Sequence, residues 1–118
     1  MYYKKKTGNN GETLACSFLR KRNYIIIEQN FSCKQGEIDI IAKSPDNYLV
    51  FIEVKTRNSL NYGMPCEAVT PWKQKHIKNS SKYYILKNKV NNIDIRYDVI
   101  EIFKYNNKTY THHIKNAF

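Results

Sequence analysis

Two apolar runs, each broken by a single acid, constrain this chain more than any other feature. They are Ile38–Ala42 and Tyr48–Val54, within GEIDIIAKSPDNYLVFIEVKTR. The polar segment Lys43–Asn47 between them carries Pro45 and an Asp-Asn pair, so the pattern predicts a β-hairpin. Near-continuous apolar runs belong to strands covered on both faces. A carboxylate in such a strand is desolvated at a cost of several kcal/mol, and something should offset it. Yet Asp39 stands between Ile38 and Ile40, and Glu53 between Ile52 and Val54.

The spacing suggests the offset. If Pro45–Asn47 forms a three-residue loop, Asp39 falls opposite Glu53, with Cβ atoms about 4.5–5.5 Å apart. Like charges placed so are destabilising unless a cation lies between them. Alternation puts Lys55 on the face of Glu53, and Ile38, Ile40, Ile52 and Val54 on the other. Two acids and a lysine then converge at one end of the hairpin, as a divalent metal beside a phosphate requires.

These residues resemble the D–(x)n–E-x-K pattern of the restriction-endonuclease-like (PD-(D/E)XK) nuclease superfamily. Within it, GEIDIIA followed by FIEVKTR is similar to the YraN-like family, relatives of archaeal Holliday-junction resolvases. An isolated E-x-K carries little information; closing an apolar strand and paired with G-E-I-D on the strand before, it is far more specific. Gly8, Gly11, Glu12 and Ala15 fit the family's G-x-x-G-E-x-x-A, and Arg96-Tyr97-Asp98-Val99 fits its R-F-D-V with Tyr for Phe. Asn61-Tyr62-Gly63, Val69-Thr70-x-x-Lys73-Gln74 and the ending Lys115–Phe118 extend the resemblance over nearly the whole chain.

At 118 residues the chain is expected to be one domain with its own core. Its net charge of +10 favours a polyanionic partner, nucleic acid before an acidic membrane surface. The chain is also rich in Asn, Lys, Ile and Tyr, as an AT-biased genome would give, so charge alone does not decide the partner. Cys16, Cys33 and Cys66 form an odd set without C-x-x-C spacing, which points to reduced thiols and not to zinc or disulfides. No stretch has the length of a membrane span and the N-terminus has no apolar run, so a cytoplasmic protein is expected.

Residues 1–8 are basic and expected to form a flexible arm, with Asn9 or Asn10 capping a helix that starts near Gly11. Glu12 then lies in the first turn, where it could simply complement the helix dipole. By resemblance it would instead complete a metal site. Tyr24–Glu28 reads as a short strand, and Asn30–Cys33 leads into the hairpin. Lys34 could stand in for a basic residue that relatives carry near Ser32. After Arg57, Asn58–Ala68 reads as loop. Thr70-Pro71 starts a helix running to about Leu86, with Thr70 as N-cap. Asn88–Asn92 breaks it, and Asp94–Tyr105 and Lys108–Ile114 alternate as strands around an Asn106-Asn107 turn. Asp98 reads as the structural partner of Arg96 or a helix end, and His76, His112 and His113 as residues without a ligand role.

The order matches the α/β class: a restriction-endonuclease-like α-β-β-β-α-β core, one mixed sheet flanked by helices, with an extra C-terminal strand. The resemblance implies Asp39 and Glu53 as ligands of Mg²⁺ (or Mn²⁺), with the main-chain carbonyl of Val54 and with Glu12 as a fourth candidate. Lys55 would complete a catalytic set of Asp39, Glu53 and Lys55, and Lys73 and Gln74 would be accessories. Arg57, Lys73, Lys75 and Lys78 would contact the nucleic acid, DNA foremost, with no membrane partner; resolvases of this fold act as homodimers. A non-catalytic nucleic-acid-binding module that retains the fold is the second expectation, with Lys82-Tyr83-Tyr84 and Lys104-Tyr105 supplying stacking and phosphate contacts. A third is a small basic subunit whose hairpin acids pair with its own lysines.

Overall fold

A computed structural model of the chain describes residues 2–57 and 69–118, with side chains described for 10–57, 69–104 and 106–118. In order, α1 spans Tyr2–Lys21, β1 Ile25–Cys33, β2 Gly36–Lys43, β3 Tyr48–Arg57, α2 Pro71–Lys87, β4 Asp94–Tyr105 and β5 Lys108–Ile114. The five strands form one mixed sheet in the order β1-β2-β3-β4-β5. Only β3 and β4 run parallel, and α2 is the crossover that this pairing needs. The α-β-β-β-α-β order with an added C-terminal strand is therefore borne out. No helix among the described residues is long and apolar enough to cross a membrane.

The near-continuous apolar strands are explained by two clusters, one on each face. Ala15, Cys16 and Leu19 of α1 pack on Ile40, Ala42, Val50, Ile52, Ile100 and Ile102. On the other face, Ile77 and Tyr84 of α2 meet Phe31, Ile38, Ile41, Leu49, Phe51 and Val99. Strand β3 thus sends Val50 and Ile52 towards α1, and Leu49 and Phe51 towards α2. Glu53 and Lys55 continue the α2-facing series.

The hairpin loop is Pro45–Asn47, with Ser44 and Tyr48 bonded across its base at 2.9 Å. Asn47 adopts φ 72°, a left-handed conformation that its short polar side chain tolerates. Asn106 and Asn107, at φ 50° and 62°, make the β4–β5 turn in the same way. Helix α2 begins where Thr70 and Pro71 place it: the Thr70 hydroxyl accepts from the Lys73 amide at 3.1 Å, and Pro71 needs no partner in the first turn.

Three local expectations are corrected. Helix α1 starts at Tyr2, so residues 2–8 are helical rather than a loose arm, and Asn9 and Asn10 lie inside the helix instead of capping it. Once a helix is nucleated each added residue gains a hydrogen bond, and a Gly penalty of about 1 kcal/mol does not stop it. Strand β1 extends to Cys33, because Cys33 pairs with Gly36 around a two-residue turn. Ile38 packs on the α2 face, whereas Ile40 packs on the α1 face. The alternation breaks at Asp39, opposite Asn30, whose backbone is left-handed at φ 56°.

Asp98 has the structural role expected of it. Arg96 donates to it twice, Nε at 2.9 Å and Nη2 at 3.0 Å, while also reaching the Tyr24 hydroxyl at 2.7 Å. His113 meets the second Asp98 oxygen at 2.7 Å and the Asn116 amide donates to the first at 2.9 Å. Burial alone would raise the Asp98 pKa, but these partners outweigh it and hold the carboxylate below its usual range. His113 is thereby part of a buried network joining Tyr24, just before β1, with β4, β5 and the C-terminal residues.

Candidate active site

The β2–β3 ladder keeps the predicted register, Ile40 opposite Ile52, Ile41 opposite Phe51 and Lys43 opposite Leu49, and ends at Ile40. One position further along, the Asp39 side chain takes over. Its Oδ2 accepts from the main-chain amide of Val54 at 2.8 Å. The strands part here, and the gap is filled by acids and lysines.

Glu53 is the centre of the group and is only 6% exposed. Its Oε2 lies 3.5 Å from Lys55 Nζ and 3.4 Å from Lys73 Nζ. Lys55 is on the same strand face; Lys73 arrives from the first turn of α2. Asp39, close to Glu53, is pushed up to about 8, first by burial and then by the Glu53 charge. Glu12 raises it further, while the Val54 amide and Lys73 pull it down. Glu12 is itself raised by burial, against hydrogen bonding with Asn30 and Asp39, and its Oε1 is buried with no partner among the described residues. Three carboxyl groups therefore crowd one end of the hairpin, and a proton held there does what a cation would do.

Glu12 owes its place to Gly11. A Cβ on Gly11 would run into the Thr56 hydroxyl, so the absent side chain lets α1 approach the end of β3 closely. Since α1 starts at Tyr2, Glu12 lies well inside the helix and not in its first turn. Its dipole role therefore falls away.

The other candidates divide. Lys73 reaches Glu53, whereas Gln74 turns its Nε2 to the Val69 carbonyl at 3.0 Å. Lys75 is exposed, and Lys78 lies over the Tyr97 and Phe118 rings, 5.7 and 5.9 Å from their centroids. Val54 contributes its amide to Asp39. Lys34 is exposed at the β1–β2 turn. Cys16 is buried and Cys33 half-buried, and neither is in a disulfide among the described residues. Cys66, Asn61-Tyr62-Gly63 and the Asn58–Ala68 loop lie outside the described residues.

Sequence reasoning missed Glu101. It is fully buried, aligned with Lys55 across the parallel β3–β4 pair, and its Oε2 accepts from Arg57 Nε at 3.0 Å. Its Oε1 has no partner among the described residues. The signal was present, since Glu101 interrupts an apolar strand between Ile100 and Ile102 just as Asp39 and Glu53 do theirs. A shallow hollow of about 620 Å³ beside Asn10, Leu14 and the β4–β5 turn contains none of these acids.

Glu12, Asp39 and Glu53 offer hard oxygen donors, one of them orphaned, which suits Mg²⁺ or Mn²⁺. Among the described residues no three His, Cys, Asp or Glu side chains close into a ready-made cage. A cation here would therefore draw its remaining ligands from water, main chain or substrate, as Mg²⁺ commonly does.

The family model described as "Uncharacterised protein family UPF0102" matches residues 11–102. A UPF0102 protein of Caldicellulosiruptor saccharolyticus is 46% identical over 117 residues, covering 98% of each chain. One from Clostridioides difficile is 44% identical over 97% of each chain. A third, from Clostridium botulinum, is 48% identical over 99% of this chain and 97% of its own. The chain belongs to the UPF0102 family.

Proposed function

We propose that this UPF0102 protein is a metal-dependent endonuclease of the restriction-endonuclease-like type, hydrolysing phosphodiester bonds in cytoplasmic nucleic acid, DNA foremost. The observation that carries the reading is the convergence of Glu12, Asp39 and Glu53 with Lys55 and Lys73 where β2 and β3 part. Glu53 and Asp39 would hold the cation, with Glu12 and the Val54 carbonyl as further donors. A bound divalent ion neutralises phosphate charge and makes a nearby water more acidic. Lys55 stands beside Glu53 to orient the attacking water and to stabilise negative charge on the phosphoryl oxygens as the new P–O bond forms and the old one breaks. Lys73 adds a second cation to the same end. Arg57, held by Glu101, and the exposed Lys75 would neutralise flanking phosphates.

A non-catalytic nucleic-acid-binding module is the second reading, and one observation favours it. Glu53 already has two lysine partners, and a proton on Asp39 relieves the acid pair. Purified protein incubated with Mg²⁺, Mn²⁺ or chelator against labelled duplex, single-stranded, flap and four-way DNA separates the two. The nuclease reading expects cleavage with metal, none with chelator and none from Glu53→Gln. Salt-sensitive binding with no cleavage under any metal gives the site to the binding module.

A further inference from the structure

Trp72, the single tryptophan of the chain, is 69% exposed, an unusual place for a side chain that gains so much from burial. It lies in the first turn of α2, away from the inward series Ile77, Ser80, Ser81 and Tyr84. The indole meets the His76 ring edge-to-face, with centroids 4.0 Å apart and planes at 79°. One helical turn separates the two, so the contact braces the indole while leaving most of its surface open.

The position of this pair in the fold gives it meaning. A Cβ on Gly36 would stand 3.6 Å from His76 Cβ and 3.3 Å from Ser80 Oγ, so the His76 side of α2 sits directly over the start of β2. That strand carries Asp39. The residue after Trp72 is Lys73, whose ammonium lies 3.4 Å from Glu53. The same first turn of α2 therefore presents a braced aromatic plane and sends a lysine to the acid cluster.

We propose that Trp72 is a stacking platform for an unpaired nucleobase next to the phosphate held at the acid cluster. This rests on the nuclease or nucleic-acid-binding reading of that cluster and narrows its substrate class. Bases inside a duplex are stacked on one another and cannot lie on an indole, whereas those of a single strand, flap or branch can. Stacking is sequence-tolerant, because every base has a π-face. The surroundings favour a polyanion over a protein partner: the neighbours Thr70, Lys73 and Lys75 are polar, and the exposed Tyr83 and Leu86 lie near the opposite end of α2, so among the described residues no continuous apolar patch surrounds the indole.

Binding in chelator tests this apart from any catalysis. The probes are a labelled single-stranded oligonucleotide, the same strand with a run of abasic sites, and a blunt duplex, measured by anisotropy with wild type, Trp72→Ala and Trp72→Phe. Intrinsic emission of wild type, from this one indole, gives a second readout. The proposal expects emission quenched by the intact strand and not by the abasic one. It expects Trp72→Ala to weaken single-strand binding by roughly tenfold to a hundredfold. Trp72→Phe should retain most of the affinity, and duplex and abasic binding should be unchanged in all three proteins. Equal affinity of wild type and Trp72→Ala for the intact strand overturns it, as does an equal loss towards every probe. Trp72-dependent binding without cleavage upholds the platform and removes the nuclease reading. Cleavage with no Trp72 dependence does the reverse, and absence of binding to any probe removes both.

Discussion

The amide of Val54 donates to the Asp39 carboxylate at 2.8 Å, where the next rung of the β2–β3 ladder would otherwise stand. A side chain replacing a backbone bond holds the strands close enough for Asp39 and Glu53 to feel each other, yet lets them diverge. The divergence lets Glu12 in from α1 and Lys73 from α2, so the charged cluster joins both layers of the fold.

Asp39→Asn keeps an acceptor for Val54 and removes a charge opposed by Glu53 and Glu12. Because burial and Glu53 raise the Asp39 pKa to about 8, its neutral form is the one that suits the fold. That contribution is fully present below the ordinary carboxyl range, near pH 4, and is lost as pH rises through about 8. In chelator, wild type should lose stability across this window while Asp39→Asn falls less. The variant should match or exceed wild type at the alkaline end, and the gain should shrink when Glu53→Gln is also present. Thermal melts at several pH values check this; Asp39→Asn melting well below wild type throughout would make Asp39 a structural ion-pair partner. Added Mg²⁺ or Mn²⁺ should stabilise wild type and not the variant, since a ligand stabilises the state that binds it.

Asp98 should behave in the opposite sense. Its folded pKa is held down, so its contribution is present above the unfolded value near 4 and is lost as pH falls through the folded one. Asp98→Asn leaves the buried Arg96 guanidinium without its counter-charge, a loss of about 3–5 kcal/mol at neutral pH. Urea titrations should show that loss at pH 7 and a smaller difference between variant and wild type near pH 3. A constant difference at both pH values would assign the loss to packing.

The apolar runs, the turn at Pro45–Asn47 and the Thr70-Pro71 cap were legible because each is a local pattern with one physical outcome. The candidate cluster was legible to the extent that strand register brings its members together, which covers Asp39, Glu53 and Lys55. Lys73 and Gln74 were indistinguishable, because which of two adjacent helical residues faces a sheet depends on how the helix docks. The start of α1 was hidden because Asn9 and Asn10 read as caps for a helix beginning near Gly11, whereas Gly11 lies inside the helix and marks a close approach to Thr56. Glu101 was missed because an acid in an alternating strand reads as solvent-facing until both faces are known to be covered.

Arg57 and Glu101 make a pair whose two ends differ in burial, the carboxylate fully enclosed and the guanidinium a quarter exposed. Arg57→Ala should leave a buried charge unpaired and cost about 3 kcal/mol, the low end for a broken buried pair. Adding Glu101→Gln should restore part of that loss. In nucleic-acid binding, both Arg57→Ala and the double variant should lower the magnitude of the salt slope of log K by about 1. Denaturant melts and salt-titrated anisotropy measure the two effects separately, and an unchanged salt slope would confine Arg57 to a structural role.

Lys73 and Gln74 are neighbours in sequence with separate tasks in the fold, and substitution should part them. Gln74 Nε2 ties the Val69 carbonyl to the start of α2 at 3.0 Å, so Gln74→Ala should cost about 1 kcal/mol of stability. Its cleavage and metal response should stay near wild type. Lys73 holds its ammonium 3.4 Å from Glu53 and lowers the Asp39 pKa, while its own side chain is 40% exposed. Lys73→Met removes that charge and keeps much of the stem, so stability should change by less than about 1 kcal/mol, as for other part-exposed pairs. Metal-dependent cleavage should fall by about a hundredfold, the scale for losing one group that stabilises transition-state charge. With Lys73 gone, Asp39 should also hold its proton to higher pH, and the stability fall expected in chelator should move in that direction. Melts and cleavage rates for both variants decide the assignment: if Gln74→Ala loses cleavage while Lys73→Met keeps it, Lys73 is only a counter-ion for Glu53, and the catalytic edge of α2 has been placed one residue too early.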